Sequence, residues 1–251
     1  MQPMKILYAG DGGEGGPANY LLGILTSLKA DYLHIPPSVK MNPELLKKTF
    51  DAIILSDYSR SLMPQECQEI VTEKVLKGAG LLMIGGWASF SGPFGGWRNS
   101  IIEGLLPVGC SDRDDRVSLP GGALIRVHTP HPMFDSFTFS HSPVLCGLNE
   151  VTVRKNSHTL LTARKIQQER APDGAVTLAL DSKDYPLLVI DESNHKRTAA
   201  FTTDVAPHWC GGLIDWGSER QSIAINPKIR IEAGNLYIQF FSLLLRWLTR
   251  Q

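Results

Sequence analysis

The stretch Thr202-Thr203-Asp204-Val205-Ala206-Pro207-His208-Trp209-Cys210 brings a carboxylate, an imidazole and an indole together in one short segment. An Asp and a His so close are the equipment of acid–base chemistry near neutral pH. The run Thr198 to Thr202 before them is apolar enough to be a sheet strand, so Asp204 and His208 would leave its C-terminal end. That is the edge where open α/β sheets bind ligands. Asp57 follows a third apolar run, Ala52 to Leu55, and Trp87 follows a fourth, Leu81 to Ile84, so both converge on the same edge. Asp57, Asp204 and His208 are therefore the acid–base candidates. Gly12, Gly85, Gly86, Trp87, Ser89 and Trp209 are the candidate ligand contacts, with the tryptophans able to stack on a ring. The competing reading is a loop in which Asp204 caps a turn and Trp209 packs on the core.

Other motifs carry less. A nucleophile elbow, G-x-S-x-G, needs glycines two residues either side of its serine to relieve a strained turn. Around Ser89 those places hold Trp87 and Ser91; around Ser91 they hold Ser89 and Pro93. Neither serine fits, and hydroxyls in such a turn commonly bond backbone instead. Gly10, Gly12 and Gly15 match G-x-G-x-x-G after the first strand, but the second strand ends in Leu33, His34 and Ile35, without the acidic residue that grips a ribose. A loop lining the ligand edge is the better reading. His128 and His131 have H-x-x-H spacing, yet Pro130 and Pro132 exclude a helix that would put both on one face, so no metal is expected. Cys67, Cys110, Cys146 and Cys210 form no C-x-x-C pair and read as free thiols.

The elements that must position these residues alternate in the first hundred positions. Strands at Met4 to Ala9, Tyr32 to Ile35, Ala52 to Leu55 and Leu81 to Ile84 are separated by helices beginning at Pro17, at Asn42-Pro43 and at Pro64. Alternation of this kind makes right-handed βαβ units and a parallel, flavodoxin-like doubly wound sheet. The second half is β-rich: Leu124 to His128, Val151 to Arg154, Thr159 to Ala163, Ala175 to Leu180, Leu187 to Ile190 and Thr198 to Thr202 read as strands with short connections. An apolar helix from about Asn235 to Trp247 closes the chain. The expectation is one domain over 1–251: a parallel α/β core at 1–108, a β-rich insertion at 109–197, and a final strand, loop and helix at 198–251.

Lys plus Arg and Asp plus Glu both number 25, so there is no basic surplus to meet a nucleic-acid backbone. The apolar stretch near the N-terminus is shorter than a signal-peptide core. The segment Leu236 to Leu248 is interrupted by Gln239 and Arg246 and falls short of the roughly 18 to 20 residues that cross a bilayer. A cytoplasmic protein is expected, with neither nucleic acid nor membrane as partner and no cofactor. The aromatic residues from Phe90 to Trp97 are a candidate contact between copies of the chain.

In order along the chain, LLMIGGWASFSG, LLPV, DDRV, HPMFDSF, PLLVI and AAFTTDVAPHW, with a closing helix ending RWL, resemble the class I glutamine amidotransferase-like proteins, a group akin to the ThuA-like (trehalose-utilisation) proteins. The resemblance implies the flavodoxin-like core. It also implies an elbow after the fourth strand, where true class I amidotransferases carry a cysteine nucleophile served by a His and a Glu. Here that elbow holds Gly85, Gly86, Trp87, Ala88 and Ser89, with no cysteine. Covalent attack requires a nucleophile positioned beside its base. The expected function is thus a domain without glutaminase activity that binds a small polar ligand or a protein partner. The alternatives are an enzyme acting on a sugar or polyol through the acid–base residues, and a glutaminase with an unrecognised nucleophile.

Overall fold

The computed structural model describes residues 2–12 and 16–251. Gly15, the third glycine of the G-x-G-x-x-G match, lies outside them. In chain order the elements are β1 (Lys5–Gly10), α1 (Ala18–Ser27), β2 (Asp31–Ile35), β3 (Ala52–Ser56), α2 (Gln65–Leu76), β4 (Gly80–Ile84), β5 (Val108–Gly109), β6 (Arg116–Val127), β7 (Val144–Asn149), β8 (Thr152–Val153), β9 (His158–Arg170), β10 (Val176–Asp191), β11 (Thr198–Phe201), α3 (Pro207–Cys210), β12 (Arg220–Ala224), β13 (Arg230–Gly234) and α4 (Asn235–Thr249). Nine strands form one sheet in the order β2-β1-β3-β4-β11-β10-β9-β6-β7. The first five are parallel, the flavodoxin-like order with β11 as fifth strand. The other four continue the same sheet antiparallel. That continuation is the β-rich elaboration.

The period of a strand decides which helix covers which residue. In β1, Ile6 and Tyr8 pack with Ile54, Leu82, Ile84 and Phe201 under α1 and α4. Leu7 and Ala9 face the other way, with Ile53, Leu55, Leu81 and Met83, against Cys67, Val71 and Val75 of α2. Strands covered on both faces read as continuous apolar runs, which is why β1, β3 and β4 stand out in the sequence.

Several expected elements differ. The helix expected at Asn42-Pro43 is a single 3-10 turn, Pro43–Lys47, whose first amide is capped at 2.9 Å by the Asn42 side chain. The two expected strands Ala175 to Leu180 and Leu187 to Ile190 are one, β10, because a register shift between Leu180 and Asp184 absorbs the polar Asp181-Ser182-Lys183 without ending the ladder. Strand β6 starts eight residues before Leu124, and its pairing with β7 shifts between Ser118 and Ala123, across Gly121-Gly122. Strand β7 and the β12–β13 hairpin are additions that the periodicity does not announce.

Candidate functional site

Four parallel strands deliver their ends to one place. Strand β1 ends in Asp11, β3 in Ser56 and Asp57, β4 in Gly85, Gly86 and Trp87, and β11 in Thr202, Thr203 and Asp204. Asp11 and Asp57 both sit at positive φ, +42° and +48°, a backbone region that Asp tolerates better than most residues. Asp11 and Asp204 are buried, and burial pushes Asp57 above the ordinary carboxylate range as well.

Each carboxyl is held differently. Asp11 accepts the Tyr8 hydroxyl at 2.6 Å. Burial pushes it up to about 7, against the Ser56 and Tyr8 hydroxyls and with help from the charge on Asp57. The Ser56 hydroxyl lies beside it without a well-aligned hydrogen bond. Asp57 accepts the Ala88 amide at 2.6 Å, and this contact, with the charge of His208, holds its pKa down against burial. Asp204 gives one oxygen, Oδ1, to the amides of Val205 and Ala206 at 2.6 and 3.1 Å. Its Oδ2 is buried without a hydrogen bond of good geometry, and His208 Nε2 stands 3.2 Å away. Burial, then Asp11, then Asp57 raise Asp204 well above the usual range. The imidazole of His208 is half exposed, so it joins a buried acid to solvent.

The elbow is held shut by polar side chains that the sequence reading passed over. Gly86 has φ +152°, and a Cβ there would lie 2.2 Å from Asp57 Oδ1. Any nucleophile at Gly86 would need the space that the carboxyl occupies. Asn149, at the end of β7, accepts the Gly86 amide at 2.9 Å and returns a hydrogen bond to its carbonyl at 3.2 Å. The same carboxamide donates to Asp115 at 2.7 Å, and Asp115 accepts the Ser91 amide at 2.7 Å. Burial pushes Asp115 up to about 6, against those two hydrogen bonds. Asp115 belongs to the DDRV segment; nothing local in the sequence marks Asn149, Asp11 or Tyr8.

The remaining expected contacts take these places. The Ser89 hydroxyl is buried, donates to the Ile84 carbonyl at 2.5 Å and accepts the Asp57 amide at 3.1 Å, which ties the ends of β3 and β4 together. Trp87 is 45% exposed, with the Arg116 guanidinium 4.2 Å from its ring centre and Asp114 bracing that guanidinium. Trp209 is only 7% exposed and packs so closely on Gly147 that a Cβ there would touch the indole at 2.8 Å. Its ring packs into the fold rather than standing free for a ligand. Gly85 abuts the Thr202 carbonyl, and Gly12 borders the residues not described. His128 and His131 lie at the opposite end of the sheet, where His131 Nδ1 caps the turn Pro132–Phe134 through the Met133 amide.

The four thiols are free: Cys110 is partly buried and Cys146, on β7, is exposed. Cys67 is buried on α2, and burial pushes the Cys110 and Cys210 thiols up, away from the reactive thiolate form. Among the described residues, no group of three or more His, Cys, Asp or Glu has the arrangement to hold a metal ion.

A sequence profile described as "Putative glutamine amidotransferase" matches residues 44–224. The chain belongs to this GATase1-like family. Among solved structures, the GATase1-like chain is similar to two cytoplasmic proteins of Salmonella typhimurium, each at 23% identity. One has TM-score 0.72 with 97% of this chain and 98% of the other covered; the second has 0.70 with 98% and 99%. A ThuA-like protein of Bacteroides uniformis shares 13% identity at TM-score 0.52, with 98% and 91% covered. These likenesses are of fold. No curated protein matches significantly. No helix among the described residues is long and apolar enough to cross a membrane.

Proposed function

We propose that this GATase1-like protein has no glutaminase activity and binds a small polar ligand at the C-terminal edge of its sheet, through Asp57, Asp204 and His208. The observation that carries this reading is the contact of Gly86 with Asp57: the carboxyl fills the volume a nucleophile's side chain would need. Burial raises the proton affinity of three clustered carboxyls, Asp11, Asp57 and Asp204, above the ordinary carboxylate range. With Oδ1 of Asp204 occupied by two amides, Oδ2 is the oxygen left to face His208. A ligand rich in hydroxyls could exchange hydrogen bonds with such a pair in both directions, as donor and acceptor.

The second reading is acid–base catalysis on a sugar or polyol, favoured by the 3.2 Å approach of His208 to Asp204. A cytoplasmic setting, with neither nucleic acid nor membrane as partner, accompanies both readings.

A thermal-shift screen with sugars, polyols, amino acids and nucleotides tests the proposal. A ligand at 100 times its Kd stabilises the fold by about 2.7 kcal/mol, a visible rise in melting temperature. His208→Ala should abolish the shift of any hit, and a shift that survives unchanged moves the site elsewhere. Ammonia release from glutamine should stay at background; clear turnover would overturn the reading.

A further inference from the structure

At the other end of the sheet, residues 192–197 join β10 to β11 and meet the C-terminal turn of α4. A cleft of about 550 Å³ opens there, lined by Glu192, Asn194, His195, Lys196, Arg197 and Arg250. All six are polar, and the basic side chains outnumber the single acid. Lys196 is neutralised by Asp191 at 2.8 Å, a residue outside the lining. The Glu192 carboxylate is turned to His131 at 3.3 Å and to the Trp247 indole at 3.5 Å. Arg197 lies over the Trp247 ring, 5.5 Å from its centre, and donates to the Trp247 carbonyl; Arg250 donates to the His195 carbonyl. Among the described residues, neither guanidinium is within salt-bridge distance of a carboxylate.

Two guanidiniums held near each other, with the Glu192 carboxylate close enough to act on Arg197 but in salt-bridge contact with neither, are an arrangement that a bound anion would relieve. After burial, the charge of Arg250 is the main influence lowering the proton affinity of Arg197, so the two do sense one another. Each spends an N–H on a backbone carbonyl, which fixes its orientation and leaves further donors of the fork for a ligand. The turn beneath them is also fixed: Asn194 and His195 hold consecutive left-handed conformations, φ +52° and +62°.

We propose that this cleft binds a phosphate group, gripped by the forks of Arg197 and Arg250 with His195 beside them. Tetrahedral oxyanions match planar guanidinium forks better than they match a point charge. The site is independent of the acidic edge, since it lies at the N-terminal end of β11 and shares no residue with it.

Isothermal titration of the full chain, tag removed, tests the assignment at constant ionic strength with inorganic phosphate, glucose 6-phosphate, and glucose as control. Saturable one-site binding is expected for a phosphate compound and none for glucose. Equal affinity for both phosphates identifies free phosphate as sufficient; tighter binding of the sugar phosphate identifies a phosphorylated small molecule. Arg250→Gln and Arg197→Gln should each weaken binding about tenfold or more. Arg197→Lys keeps the charge without the fork and should fall between. Lys165→Gln, away on β9, should leave the affinity unchanged. Circular dichroism and melting of each variant separate lost binding from lost folding, and Arg250→Gln and Arg197→Lys keep the test open should Arg197→Gln unfold. Absence of saturable binding at about 10 mM of either phosphate, or binding that survives loss of both arginines, overturns the proposal.

Discussion

Gly86 and Asp57 form a lock between neighbouring strand ends, and it can be tested at a single atom. Adding a methyl in Gly86→Ala brings Cβ within 2.2 Å of a carboxylate oxygen at a φ that side chains rarely adopt. Urea unfolding should show a loss of about 2–4 kcal/mol, whereas a loss below about 0.5 kcal/mol would mean that the strand ends part easily. Asp11 makes a pH prediction. Its folded pKa, about 7, is above the ordinary 3.8, so the native state binds the proton more tightly than the unfolded chain does. Stability from this group is therefore fully present below about pH 4 and is lost as pH rises towards 7. Removing the charge in Asp11→Asn should stabilise the protein at pH 8 relative to pH 4, by at most about 4 kcal/mol; equal effects at both pH values would refute the assignment. Asp57, Asp204 and His208 were legible as chemistry because each follows an apolar run. Asp11 was not, because it is embedded among glycines that read as a flexible loop.

At the scale of elements, β7 acts on β4 from five strands away in the sheet order. Its terminal Asn149 grips both backbone groups of a glycine 63 residues earlier in sequence. Asn149→Ala would leave those buried groups and Asp115 short of partners, a loss of about 2–4 kcal/mol. It should also quicken amide hydrogen exchange at Gly86 and Ser91 while leaving α2 protected; uniform exchange across the molecule would argue that Asn149 supports the whole fold instead. Such a role is invisible in sequence, since an Asn at a strand end has no periodicity and its partner is remote. The same limit explains the missed strands. Strand β7 carries Gly147 and alternates in no clear pattern, and the polar residues 181–183 made one long strand look like two. The four buried parallel strands were legible because burial on both faces leaves only apolar residues to use.

For the whole molecule, the sheet has two chemically different ends, acids where the parallel strands finish and arginines where β11 begins. The hairpin of β9 and β10 overshoots the acidic end: residues 167–180 are exposed throughout, including Val176, Leu178 and Leu180 at 53, 65 and 44%. None of that length is needed to cover the core. Replacing residues 167–180 with a short turn should shift the melting temperature by no more than about 2 °C, and a larger fall would show that the hairpin braces the sheet. The register shift between Leu180 and Asp184 lies at the base of this overhang. It therefore separates a ladder that must stay intact from a tip that need not, and the turn Ala171 to Ala175 becomes a splice point. A small reporter inserted there would ride on the acidic side of the sheet, a place from which to watch that edge without touching a residue that builds it.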